Sequence, residues 1–128
     1  MTISAVYDKL ARVVTGEFGD VVLRARVLRL PTGDPIKLRL DIVDQSTLDV
    51  WLSSSGRYSY HWERRHTDKG DVYRYDNAPH KRWRSVASFP HHFHNGAESV
   101  AVESHLNLDP EEALHQVLTF VRMKLLSK

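Results

Sequence analysis

The stretch "VVLRARVLRLPTGDPIKLRLDI", residues 21–42, decides the fold class, because its apolar residues recur at every second position. The second half alternates strictly between apolar and charged side chains: Ile36, Leu38, Leu40 and Ile42 against Lys37, Arg39 and Asp41. The first half alternates Val21, Leu23, Ala25 and Val27 with Val22, Arg24, Arg26 and Leu28. The segment "PTGDP" between the halves favours a turn. The stretch therefore predicts two antiparallel strands with one covered face.

The same two-residue period continues downstream. It predicts further strands in "TLDVWLS" (47–53), "RYSYHWERR" (57–65) and "DVYRYDN" (71–77), with a short sixth strand in "SVAVES" (99–104). Turn residues separate these segments, so we expect a meander of five to six antiparallel strands.

A helical period brackets the strands. Ile3, Val6, Tyr7, Leu10, Val13 and Val14 predict an N-terminal helix over residues 3–14, ended by the glycines at 16 and 19. Asp109 and Pro110 are suited to the start of a C-terminal helix. Its predicted apolar face is Leu114, Val117, Leu118, Val121 and Leu125. We therefore expect an α+β fold, one domain over residues 1–128, with both helices on one face of the sheet.

Composition narrows the class of protein. The chain has 128 residues, no cysteine and no run of about 18 apolar residues, so disulfides, thiolate-bound zinc and membrane spans are not expected, and we expect a cytoplasmic protein. Its charges are uneven. Residues 57–84 carry eight Lys or Arg against four acids, whereas residues 98–112 carry five acids and no Lys or Arg. This pattern favours an anionic ligand such as nucleic acid, although a solvated charged face would also explain it.

Two groups of residues could carry chemistry. On "RYSYHWE", alternation places Arg57, Ser59, His61 and Glu63 on the face opposite the aromatic row of Tyr58, Tyr60 and Trp62. Arg74 and Asp76 share a face of the next strand. The second group lies in residues 78–97, which show no clear secondary structure and include "FPHHFHNG" (89–96). If that segment is extended, His92 and His94 point to one side and His91 to the other.

Three interpretations of these groups remain open. Imidazoles beside cations can cleave RNA without a metal, because one takes the 2′-hydroxyl proton and another protonates the departing 5′-oxygen. A His-x-His pair with a distant His or carboxylate could instead bind zinc or another divalent ion. The third interpretation is a non-catalytic module that holds nucleic acid or a protein on a basic sheet.

The segments "RYSYHWE", "YRYDNAPH", "FPHHFHNG" and "LDPEEALHQVL", taken in order, resemble the TumE family of toxins from prokaryotic toxin–antitoxin pairs. The resemblance covers roughly residues 36–120. It implies a small cytoplasmic toxin, a ribonuclease, paired with an antitoxin that typically has a helix-turn-helix, and it implies no cofactor with certainty. The matching positions are Tyr58, Tyr60, His61, Asp76, Asn77, Pro79, His80, Pro90, His91, His92, His94 and Gly96.

The residues and the resemblance together predict a toxin that cleaves RNA by metal-independent histidine chemistry. The candidate catalytic residues are His61, His80, His91, His92 and His94. The candidate substrate-binding residues are Arg57, Tyr60, Arg74, Asp76, Asn77 and Arg82. No cofactor is expected, and the expected partners are an antitoxin and an RNA substrate, with no membrane. The sequence leaves the oligomeric state open.

Overall fold

The computed structural model describes residues 1–127 as two helices and one seven-stranded antiparallel sheet. The helices are α1 (Ile3–Glu17) and α2 (Pro110–Leu126). The strands are β1 (Val22–Arg29), β2 (Pro35–Ile42), β3 (Thr47–Leu52), β4 (Tyr58–Glu63), β5 (Val72–Asp76), β6 (His92–Gly96) and β7 (Val102–Glu103). A single 3₁₀ turn, Lys81–Trp83, lies between β5 and β6. No helix in residues 1–127 is long and apolar enough to cross a membrane.

The sheet is a meander in which each strand pairs with its neighbours in the chain, in the order β1 to β7. The predicted α+β meander is confirmed, but the strand number is seven instead of five or six. The additional strand is β6, which falls in the segment interpreted as irregular. Its residues "HFHNG" show no β-branched residue and little apolar alternation, so the strand depends on pairing with β5, where Asp76 stands opposite His92.

Both helices cover one face of the sheet, as predicted. Their buried residues join the inward side chains of the strands in one hydrophobic core, which includes Tyr7, Leu10, Val14, Leu38, Leu40, Leu48, Val50, Tyr60, Trp62, Leu114, Val117 and Leu118. At the start of α2, the Asp109 side chain accepts from the Glu112 amide at 3.1 Å, and Pro110 is the first helical residue. The N-terminal cap of α2 is therefore confirmed.

Two details of the first elements differ from the sequence prediction. Helix α1 continues through Gly16 to Glu17, and this extra turn brings Phe18 into the core. In β1, the pairing with β2 shifts between Val22 and Arg24. The shift turns Leu23, which the alternation placed with the apolar set, out to solvent, where it is 69% exposed.

Candidate functional site

Five polar residues come together on the face of the sheet opposite the helices, across β4, β5 and β6. Strand pairing places His61 opposite Arg74, Arg74 opposite His94, and Asp76 opposite His92. The alternation of each strand turns these side chains away from the helices. We call His61, Arg74, Asp76, His92 and His94 the polar cluster.

Asp76 is the centre of the polar cluster. Its Oδ2 accepts from Arg74 Nε at 2.9 Å, and its Oδ1 accepts from the Ala78 amide at 3.0 Å. Burial by itself would raise the pKa of this carboxyl, but the His94 ring, the Ala78 amide and the neighbouring His92 and Arg74 outweigh burial and lower the pKa to about 2. Asp76 is therefore a carboxylate throughout the neutral range.

His92 and His94 lie beneath the surface of the protein. Each is only 1% exposed, and the indole ring of Trp83 packs over both, with centroids 6.1 Å from His92 and 5.5 Å from His94. His92 Nδ1 is 2.9 Å from the carbonyl oxygen of Pro90, and since that oxygen can only accept, Nδ1 donates. Because residues 92–96 form a strand, the two rings lie on the same side, as the alternation requires of an extended segment, and both are almost completely buried.

His61 is the partly exposed histidine of the polar cluster. Its side chain retains 23% of its accessible surface, and Nε2 lies 3.5 Å from Oε2 of Glu63. Burial lowers the pKa of His61, and the charge of Arg74 lowers it further, against the opposing effect of Glu63. The ring is therefore mostly neutral at pH 7 and able to accept a proton, with a carboxylate nearby to stabilise the cation that results.

An open groove runs along the edge of the polar cluster. It consists of two adjoining depressions that share Arg74 and His80, one also lined by Trp51 and Arg57 and the other by Arg82, Trp83, His94 and Glu98. Four exposed cations near it form no ion pair within residues 1–127: Arg57, Lys81, Arg82 and Arg84. Most other arginines in the described chain are paired with carboxylates. Seven Lys or Arg of residues 1–127 thus form no ion pair, and four of them line the groove or adjoin a lining residue in the chain; the others are Arg12, Lys69 and Lys124.

Three residues of the sequence-based site lie elsewhere. Tyr60 is 2% exposed in the core beneath the helices. Asn77 serves the backbone, since Oδ1 accepts from the Tyr58 amide and Nδ2 donates to the Gly56 carbonyl, each at 2.9 Å. His91 stacks on Tyr58, with its Nδ1 3.0 Å from the phenol oxygen. The structure thus separates these three from the groove.

Other groove residues were not singled out from the sequence. Trp51 is 43% exposed on β3, and Trp83 and Glu98 line the second depression. Alternation in "TLDVWLS" carries a signal for Trp51, because Leu48, Val50 and Leu52 all face the core and leave the indole on the polar side. Trp83 and Glu98 lie outside the regular strands, where no periodicity reports their direction.

The fold and the site together define a small α+β protein with a histidine-containing, cationic groove on the open face of an antiparallel sheet. The family model described as Toxin TumE matches residues 13–125, and the chain belongs to this toxin family. The resemblance read from the motifs is confirmed and extends beyond them on both sides. Membership of a toxin family of this kind implies an antitoxin partner. Comparison with curated proteins and with solved structures gives no significant match.

Proposed function

We propose that this toxin acts in the cytoplasm by cleaving RNA, with the reaction carried out by side chains in and next to the groove and without a metal in the chemical step. The observation that carries the proposal is the position of His61, a neutral imidazole that stands opposite Arg74, which lines the groove together with the unpaired Arg57. A general base, a phosphate-binding cation and an approach for a polyanion are thus adjacent.

In the proposed reaction His61 is the base. It takes the proton of a ribose 2′-hydroxyl, whose oxygen attacks the adjacent phosphorus. The imidazolium that forms is stabilised by Glu63, 3.5 Å away. Glu63 is held in turn by Arg65, whose Nε lies 2.6 Å from Oε1. This ordering of base and carboxylate favours one orientation of the ring.

His80 is the proposed acid. It is exposed at the point shared by the two depressions and would give its proton to the departing 5′-oxygen. Arg74 would bind the phosphate as its charge grows, with Arg57 and Arg82 on either side. The bond to the 5′-oxygen breaks as the bond from the 2′-oxygen forms. The products are a 2′,3′-cyclic phosphate and a 5′-hydroxyl.

An exposed tryptophan favours an unpaired strand as the substrate. Trp51 and Trp83 lie in different depressions of the groove. Trp51 is 43% exposed, so its indole offers a face on which a base can stack, whereas the Trp83 ring is already packed against His92 and His94. Arg82 lies over the Trp83 ring at 4.7 Å from the centroid and adds charge at the same place. Stacking tolerates any base, so this surface gives affinity for single-stranded RNA with little sequence preference.

The test is incubation of purified protein with a labelled single-stranded RNA, with and without EDTA, beside His61→Gln and His80→Gln. We expect cleavage that survives EDTA, produces 2′,3′-cyclic phosphate ends and falls by about 10²- to 10⁴-fold in His61→Gln. Because His61 must be neutral and its pKa is lowered, the rate should rise with pH through a midpoint below the usual 6.5.

Two controls identify the alternatives. His105→Gln removes an exposed histidine that does not line the groove and should retain full activity. A substrate with one 2′-deoxy residue should resist cleavage at that position. Cleavage that is lost in EDTA would overturn the metal-free step. RNA that is bound at low salt but not cut in any lane would instead support a non-catalytic binding module.

A further inference from the structure

Three buried residues beneath the groove, Asp76, His92 and His94, have no role in the proposed reaction. His92 Nε2 lies 3.1 Å from Asp76 Oδ1, and His94 Nε2 lies 3.6 Å from Asp76 Oδ2. All three residues are at most 5% exposed. Although His92 Nε2 and Oδ1 are close, they lack hydrogen-bond geometry, and this nitrogen has no partner within residues 1–127.

The Pro90 carbonyl fixes the orientation of the His92 ring and leaves Nε2 facing Asp76. Nδ1 carries a proton, since it donates to the Pro90 carbonyl. Nε2 is therefore the free ligand atom of this ring, buried 3.1 Å from Oδ1 of Asp76 and without a hydrogen-bond partner in residues 1–127. A metal ion placed between Nε2 and Oδ1 would satisfy both atoms.

The spacing of the three ligand atoms is that of a metal site. One nitrogen from each ring and one carboxylate oxygen lie within 4.8 Å of one another. Four ligands placed tetrahedrally at about 2.0–2.1 Å from a zinc ion are roughly 3.3 Å apart, close to the 3.1 Å between His92 Nε2 and Asp76 Oδ1. His94 Nε2 lies 3.6 Å from the other oxygen of the same carboxylate. Two ligand atoms that point at a common ion do not point at each other, so they lack the alignment of a hydrogen bond. The same alignment is missing between His92 and Asp76.

We propose that Asp76, His92 and His94 bind one transition-metal ion of the Zn²⁺ type beneath the groove. Two imidazoles and one carboxylate suit such an ion better than Mg²⁺ or Ca²⁺, which prefer oxygen ligands. The outer contacts are already in place. The Pro90 carbonyl orients His92, and Arg74 and the Ala78 amide orient the carboxylate. Three protein ligands leave one position for water or an anion.

The principal competitor is Arg74, whose Nη2 lies 3.3 Å from His94 Nε2. This guanidinium also donates Nη1 to Glu98 at 2.9 Å, so it has a second carboxylate to hold it when His94 turns to the ion. The ion joins the end of β5 to β6, and it takes no part in the acid–base step proposed for His61 and His80. The site therefore goes beyond the proposed function and does not depend on it.

The experiment uses the untagged full chain, stripped with chelator and then titrated with Zn²⁺ or Co²⁺ alone. We expect one equivalent of Zn²⁺ per chain by elemental analysis, a rise in Tm on addition of Zn²⁺, and the visible absorption of tetrahedral Co²⁺. His92→Gln and Asp76→Asn keep the size of the side chain and should each lower the metal affinity by at least 10-fold. His105→Gln is the matched control and should bind as the wild type does.

Each result separates the site from its alternatives. If stripped protein takes up no metal, the proposal is overturned. It is equally overturned if His92→Gln binds Zn²⁺ as tightly as wild type. Should a variant fail to fold, the Co²⁺ spectrum of the wild type still decides, because a tetrahedral Co²⁺ ion absorbs visible light much more strongly than a hydrated, octahedral ion on the surface. RNA cleavage is not a readout here, so failure of the ribonuclease proposal leaves this test intact.

Discussion

The two faces of the sheet show how one alternating pattern can serve stability and function separately. On the face under the helices, Tyr58, Tyr60 and Trp62 are at most 7% exposed and belong to the hydrophobic core. On the opposite face of the same strand, His61 and Glu63 keep about a quarter of their side-chain surface. The lesson is that the polar face is only partly solvated, so its charges interact strongly while remaining within reach of a ligand.

The largest expected effect on stability comes from replacing Trp62, on the core face, and the comparison is with Trp51, on the polar face. Trp62→Ala should destabilise the protein by about 3–5 kcal/mol, because it leaves a cavity in the core and removes the donor to Ser46 Oγ at 2.7 Å. Trp51→Ala, on the exposed face, should change stability by less than about 1 kcal/mol and instead weaken RNA binding. Denaturant unfolding and RNA titration of both variants measure the contrast. Equal losses of stability would break the comparison.

A smaller effect is expected from Asp49 on the polar face of β3. Its carboxylate accepts from Lys37 at 2.7 Å and from Arg39 at 2.8 Å. Burial would raise the pKa of Asp49, but these two cations outweigh it and lower the pKa. Asp49→Asn should therefore cost about 2 kcal/mol of unfolding free energy at pH 7.

The sign of the pH dependence follows from the lowered pKa of Asp49. The carboxylate contributes stability above the unfolded pKa of about 4, and that contribution is lost as the pH falls through the lower folded-state value. The difference between wild type and Asp49→Asn should thus shrink below about pH 4 in denaturant melts. Asp68→Asn, at an exposed acid without an ion pair in the described chain, is the control. A difference independent of pH would contradict the ion-pair account.

Asn77 tests whether a residue of the motif serves stability or substrate binding. The motif resemblance made it a candidate for substrate binding, whereas its amide group bridges Tyr58 and Gly56 in the structure. Asn77→Ala should cost about 1–2 kcal/mol of stability, because a buried backbone amide loses its acceptor. RNA cleavage measured well below the melting temperature should remain. Loss of cleavage in a variant of normal stability would show that Asn77 has a role in substrate binding.

The smallest effect on stability is expected at Arg82, which is exposed beside the groove. Arg82→Ala should leave the unfolding free energy within about 0.5 kcal/mol and reduce the slope of RNA affinity against salt by about 1. Arg12→Ala removes an exposed charge from α1, on the other side of the sheet, and should leave the slope unchanged. Equal slopes for the two variants would mean that RNA is bound by diffuse charge and not at the groove.

The candidate site was only partly predictable from the sequence. His61, Arg74 and Asp76 lie on strands with clear alternation, so their common face followed from a local rule. The sequence predicts a chemical role for His92 and His94 but does not predict that Trp83 buries them. Their burial depends on a contact between the 3₁₀ turn and β6, which no local pattern reports. Trp51 was predictable in principle, while Trp83 and Glu98 carry no periodic signal.

The sequence by itself determined the α+β class, the two helices, the faces of the central strands and the toxin family. These follow from side-chain periodicity, helix caps and motif order, all of which act over a few residues. Only the tertiary structure decided that β6 completes the sheet, that Leu23 turns outward at the β1 shift, and that Asp76 meets two buried histidines. Register, strand pairing and burial depend on contacts between segments that are distant in the chain. The free energy of these contacts cannot be read from the pattern of neighbouring residues.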